Sequence, residues 1–145
     1  MKVAIAADHG GFEYKESIKR LLDEMNIEYK DFGTHDGKSV DYPDYARPVS
    51  ESVVDGSFDK GILICGTGIG MSIASNKVKG VRCALVHDVF TAEVTRQHND
   101  SNVLAMGQRV IGEGLALLIV RTWLTSEFEG GRHQKRIDKI EGGCS

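Results

Sequence analysis

The stretch Gly61-Ile62-Leu63-Ile64-Cys65-Gly66-Thr67-Gly68-Ile69-Gly70 sets a short apolar run directly against a thiol and a glycine-rich turn. Such a run reads as a buried strand. The turn after it exposes several backbone N–H groups beside one potential nucleophile or base. A helix expected over 71–78 would aim its N-terminal dipole at the same spot, which favours negative charge there. Thiolate chemistry and phosphate binding are both compatible with this arrangement.

Outward from this stretch, β-rich runs alternate with helical patterns, the signature of βαβ units and a parallel sheet covered on both faces. Strands are expected over 2–7, 27–32, 61–65, 82–86 and 103–106. Helices are expected over 12–25, 45–55, 71–78, 89–98 and 112–125, where apolar residues recur at helical spacing. Gly56 stands where a helix would stop. The stretch 132–140 is basic and helical in pattern, with Arg132 and Arg136 on one face. Residues 141–145 read as a disordered tail. The expected class is α/β, one domain over 1–145 around a five-stranded parallel sheet.

At 145 residues the chain can bury roughly two-thirds of its unfolded surface in one core. A net charge of −3 offers no electrostatic footprint for nucleic acid or an anionic membrane, which leaves small molecules as partners. The three cysteines, at 65, 83 and 144, form no disulfide framework or zinc-finger spacing and suit a reducing cytoplasm. Asp8 cuts the N-terminal apolar run short of a signal-peptide core, and no run is long enough to span a bilayer.

In an open parallel sheet ligands bind outside the carboxyl ends of the strands. Asp8-His9, Cys65 to Gly70, His87-Asp88 and Gly107-Gln108-Arg109 all fall at such ends. Cys65 is the last residue of its strand, a reactive place for a thiol; as a bland alternative it is a small buried hydrophobe. Cys83 and Cys144 read as inert. The turn is not a Walker A loop, because no Lys-Ser/Thr pair follows, and Met71 and Ser72 stand where a Cys-x5-Arg phosphatase loop needs arginine. Asp88 lies about where a ribose-binding acid would, so a nucleotide-binding module stays open as a non-enzymatic alternative. Asp8 is either a cap or an acid beside a titratable imidazole. His98-Asn99-Asp100 closes a helix as a polar stop or as chemistry. Arg132 and Arg136 suit a phosphate, or are a solvated basic face.

Taken together, the chain resembles the ribose-5-phosphate isomerase B family, which is similar in turn to the bacterial galactose-6-phosphate isomerase subunits. The resemblance runs from Val3 to about Ile140. It rests on Ala7-Asp8-His9-Gly10-Gly11, Asp41-Tyr42-Pro43-Asp44, Cys65 to Gly70, Ser75-Asn76-Lys77, Arg82-Cys83-Ala84, His98-Asn99-Asp100, Asn102-Val103-Leu104 and Gly107-Gln108-Arg109. It implies a three-layer Rossmann-like sandwich whose C-terminal helix reaches a partner subunit, in a homodimer or dimer of dimers with a shared active site free of metal and cofactor.

The implied activity is aldose–ketose isomerisation of D-ribose 5-phosphate and D-ribulose 5-phosphate in the non-oxidative pentose phosphate pathway. A six-carbon aldose phosphate such as allose or galactose 6-phosphate is the alternative substrate. Carried over by position, Cys65 is the base, Thr67 its polar partner and His98 the ring-opening residue. Gly66, Gly68, Ile69 and Gly70 form the anion hole. Asp8, His9, Tyr42, Asn99 and Arg109 contact substrate, and Arg132 with Arg136 clamp the phosphate. A mycobacterial branch of the family uses a glutamate in the turn region as base; here that position is Met71, which accepts no proton.

Overall fold

The computed structural model describes residues 1–142. Five strands form one parallel sheet: β1 (Lys2–Ala7), β2 (Glu28–Asp31), β3 (Lys60–Cys65), β4 (Cys83–Leu85) and β5 (Val103–Gly107), in the spatial order β2-β1-β3-β5-β4. Six helices join and flank them: α1 (Phe12–Glu24), α2 (Pro43–Val54), α3 (Ile69–Asn76), α4 (Val89–Asn99), α5 (Glu113–Thr125) and α6 (Arg132–Gly142). The expected α/β sandwich with five parallel strands is what the chain forms.

The two faces of the sheet follow from strand alternation. Val3, Ile5, Ile62, Ile64, Leu104 and Met106 face a layer built by α1, α4 and α5, where Trp123 and Ile119 are fully buried. Ala4, Ala6, Leu63, Cys65, Val103 and Ala105 face α2 and α3 through Val49, Val53 and Met71. Because β1, β3 and β5 are covered on both sides, their sequences are almost continuously apolar. Strand order reverses between β1 and β3, which opens a crevice outside their carboxyl ends.

Most boundaries shift by one or two residues from the sequence expectation, and three of the differences are instructive. Helix α3 starts at Ile69, two residues early, because Gly68 adopts a left-handed φ of 77° and begins the helix at once. Strand β4 is only three residues long. It lies at the sheet edge, where the Asn76 amide takes both backbone groups of Cys83, donating to its carbonyl at 3.0 Å and accepting from its N–H at 2.9 Å. Glu141 and Gly142 are helical rather than disordered; Glu141 accepts a 2.7 Å bond from Arg82. Positions 143–145 of the expected tail, Cys144 included, lie outside the described residues. No helix among the described residues is long and apolar enough to cross a membrane.

One buried ionic knot pins α1 to the end of β2. Lys15 is fully buried and donates to Asp31, which also accepts from Lys19 and from the Gly33 N–H. Burial disfavours the Asp31 carboxylate, but the bonds from Lys15, Lys19 and Gly33 outweigh it and hold its carboxyl below the ordinary range. The knot therefore stabilises the fold fully above the ordinary carboxylate pKa, and its contribution is lost as pH falls through the depressed value. Asp31→Asn removes the countercharge and leaves Glu16 as the only carboxylate on Lys15 among the described residues. The expected cost is about 2 kcal/mol, short of the cost of stranding a buried charge altogether. Urea unfolding at pH 7 measures it, and the variant should show a shallower loss of stability in acid.

Candidate active site

The carboxyl edge of the sheet is assembled by backbone pressed against backbone. A Cβ on Gly11 would lie 2.4 Å from the Ile64 carbonyl oxygen, one on Gly68 2.7 Å from the Met106 carbonyl carbon, and one on Gly107 2.5 Å from the Thr67 carbonyl carbon. No side chain fits at these contacts. The loops after β1, β3 and β5 thus meet directly, and hydrogen bonds from Gln108 N–H to Cys65 O (2.9 Å) and Arg109 N–H to Gly66 O (3.0 Å) tie two of them together.

Cys65 sits at the foot of this arrangement, 5% exposed, and its Sγ accepts the Gly68 N–H at 3.1 Å. Thr67 Oγ1 accepts the Ile69 N–H at 3.2 Å. The N–H groups of Gly66, Thr67 and Gly70 find no acceptor among the described residues. An α-helix N-terminus, free N–H donors and a sulfur are therefore gathered where negative charge can develop. Met71 is fully buried in the core, which removes it from any proton transfer.

The remaining carboxyl-edge residues surround the turn. Asp8 is 7% exposed and accepts the Gly10 N–H at 2.8 Å, so it closes its own loop and does not cap α1, whose N-terminus is at Gly11. His9 Nδ1 accepts the Val40 N–H at 3.2 Å, anchoring the loop that leads to Tyr42 and leaving Nε2 free to donate. The Tyr42 ring lies over Gly70, and the Arg109 guanidinium lies along Gly66.

Other expected residues stand elsewhere. Helix α4 leaves the carboxyl edge and spans about 16 Å over its 11 residues. Its last residues therefore lie at the amino edge, where Asn102 N–H bonds Arg82 O and Gly61 N–H bonds Asn102 O. His98 and Asn99 are there, with Arg82 Nε donating to Asn99 O at 3.0 Å. Helix α6 folds back on α4 through buried His133 and Ile137 and leaves Arg132 and Arg136 exposed. Within one chain, Cys65, Thr67, Asp8, His9, Tyr42 and Arg109 come together; His98, Asn99, Arg132 and Arg136 form a second group at the other edge.

Two strand-end residues take roles the sequence did not reveal. His87 Nε2 accepts the Gly107 N–H at 3.0 Å, and burial pushes its pKa below the ordinary histidine value despite Asp88. A neutral imidazole thus fixes Gly107 against Thr67. Gln108 accepts the Tyr14 N–H at 3.0 Å, joining α1 to the same loop. Asp88 is committed to capping α4 through the Thr91 N–H and hydroxyl, which takes this carboxylate away from a ribose and removes the main support for nucleotide binding. Burial pushes the Cys83 thiol up to about 12, so it stays protonated and inert.

Residues 3–140 match the family described as Ribose/Galactose Isomerase, and the chain belongs to that family. It is 67% identical over 141 residues, covering 97% of this chain and 95% of the other, to a Bacillus subtilis protein assigned as a sugar phosphate isomerase. Identity to the Escherichia coli ribose-5-phosphate isomerase B is 48% over 139 residues, or 96% and 93% of the two chains. The structure of Mycoplasma genitalium ribose-5-phosphate isomerase B with bound ribulose-5-phosphate superposes with a TM-score of 0.94 at 43% identity, covering 97% of this chain and 94% of that one.

The backbone contact at Gly107 makes a direct prediction. Gly107→Ala must push the Thr67 backbone away, at a cost of about 1–3 kcal/mol in stability. Since the displaced atoms carry the free N–H groups, turnover should fall far more than the melting temperature. Parallel kinetic and thermal measurements on the purified variant check this.

Proposed function

We propose that this protein interconverts D-ribose 5-phosphate and D-ribulose 5-phosphate through an enediolate, with Cys65 as the base. The observation that carries the reading is the Cys65 sulfur held at the foot of a turn whose Gly66, Thr67 and Gly70 N–H groups lack acceptors. Family membership and the ribulose-5-phosphate bound to the Mycoplasma genitalium relative support the substrate.

The chemistry follows from proton bookkeeping on the open-chain sugar. Cys65 thiolate removes the proton on C2, and the electron pair moves onto the C1 carbonyl oxygen. The turn N–H groups stabilise this oxyanion, each by about 3 kcal/mol in a site with little water. Thr67 relays a proton from O2 to O1, the thiol returns its proton to C1, and the carbonyl now stands at C2. Because the aldose rests mainly as a ring, a general acid–base must first open it; His98 is assigned that step. Asp8, His9, Tyr42, Asn99 and Arg109 hold the sugar, while Arg132 and Arg136 hold the phosphate, whose binding energy positions the reacting carbons.

Placing His98 and the two arginines on the substrate requires a second copy, with α6 of one subunit reaching the turn of the other. An exposed apolar rim supports such an assembly: Ile69 and Ile73 on α3, Leu85 against Gly68, and Phe90 at 72% exposure. A homodimer, alone or as a dimer of dimers, covers it. A thiol that must stay reduced and the unpaired Cys65 and Cys83 support residence in the cytoplasm.

Cys65→Ala is expected to lower ribose 5-phosphate turnover by about 10³-fold or more while leaving substrate binding measurable by calorimetry. An active Cys65→Ala enzyme contradicts the base assignment. Assays in the presence of chelator that compare ribose, allose and galactose phosphates should give the highest specificity constant for the pentose. A higher constant for either hexose phosphate moves the assignment to the six-carbon reading.

A further inference from the structure

Beside His98 lies a group that the mechanism above does not use. Gly130 and Gly131 adopt φ of 69° and 57°, a left-handed pair that turns the chain sharply from Glu129 into α6. The turn carries His133 back over His98: the two imidazoles are stacked, with centroids 4.2 Å apart and planes 11° from parallel. His133 is 5% exposed, whereas the His98 side chain is 38% exposed. Glu129 sits against both rings, its Oε1 3.3 Å from His133 Nε2 and 3.6 Å from His98 Nε2. Its backbone N–H donates to Gln97 O at 3.0 Å, which fastens this carboxylate to the last turn of α4.

Two histidines and a glutamate at these distances also invite comparison with a metal cluster. The stacking argues otherwise. Nearly parallel rings send their in-plane Nε2 lone pairs side by side, so they do not converge on one ion at about 2.1 Å. A carboxylate between two Nε2–H groups suits the geometry better. The neighbouring carboxylates are engaged elsewhere, Asp100 with Arg96 and Arg82 and Glu141 with Arg82. Glu129 is left to the two histidines.

We propose that Glu129 and His133 are positioning residues that fix the His98 imidazole for ring opening, a role that rests on the assignment of His98 to that step. The buried His133 ring restricts rotation of the more exposed His98 ring. Glu129 faces the Nε2 edge and leaves Nδ1, which has no partner among the described residues, open to the sugar. Holding an acid–base group in its working orientation removes an entropic part of the barrier.

The test separates ring opening from proton transfer at carbon. Ribulose 5-phosphate has no hydroxyl free to close a five-membered ring, so exchange of its C1 hydrogen with D2O, followed by NMR, proceeds without ring opening. Glu129→Gln and His133→Ala should lower ribose 5-phosphate turnover by about ten-fold or more and leave C1 exchange within about two-fold of wild type. His133→Phe, which keeps a flat ring to stack on, should recover most of the turnover lost in His133→Ala. Equal loss of both reactions, or no loss of either, overturns the proposal. His98→Ala is the reference. If it alone shows the selective loss, the positioning pair fails and the ring-opening assignment stands; if it does not show it, the assignment of His98 fails as well.

Discussion

The polarity of a parallel sheet is the constraint from which the rest of this molecule follows. All five strands end at one edge, and every helix that leaves that edge must end at the other. Groups that ride on strand ends, Asp8, His9, Cys65 and Arg109, are therefore gathered without further design. Groups that ride on a helix C-terminus, His98 and Asn99, are carried about 16 Å away. The proposed chemistry draws on both kinds of residue and so calls for a second copy of the chain.

At the carboxyl edge, the absence of side chains matters as much as their presence. Gly11, Gly68 and Gly107 let three loops touch through their backbones, and those contacts hold the turn in the shape that points N–H groups outward. Donors fixed in this way need no reorganisation when charge appears, which is what makes such a site effective. The neutral His87 and the Gln108 amide extend the support by one further shell of hydrogen bonds. In the proposed reaction, rigid backbone placed by the sheet does the electrostatic part of the work and one sulfur supplies the base.

How much of this was legible in the sequence depended on how local the cause was. The central strands were readable because burial on both faces leaves an unbroken apolar run, as in Gly61 to Cys65. The thiol beside a glycine turn was readable for the same reason. Strand β4 is shorter than its apolar run; it lies at the sheet edge with β5 as its strand partner, and the Asn76 side chain of another element takes the outward groups of Cys83. Helix α6 was underestimated because Glu141 is held by Arg82, 59 residues away. Asp88 stands at a spacing that keeps a nucleotide-binding alternative open, yet a helix starting one residue later claims its carboxylate. The Glu129 and His133 pair left no local pattern, since it forms only when α6 folds onto α4.

The claim that a working site is split between two chains can be tested by pairing two defective ones. Cys65→Ala and His98→Ala subunits, co-expressed with different tags and purified as the mixed dimer, place both substitutions in one site and neither in the other. The account predicts that each parent variant is nearly inactive and that the mixed dimer recovers about half of the wild-type ribose 5-phosphate isomerase activity. A mixed dimer no more active than its parents would show that Cys65 and His98 serve the same site from the same chain, and would contradict it.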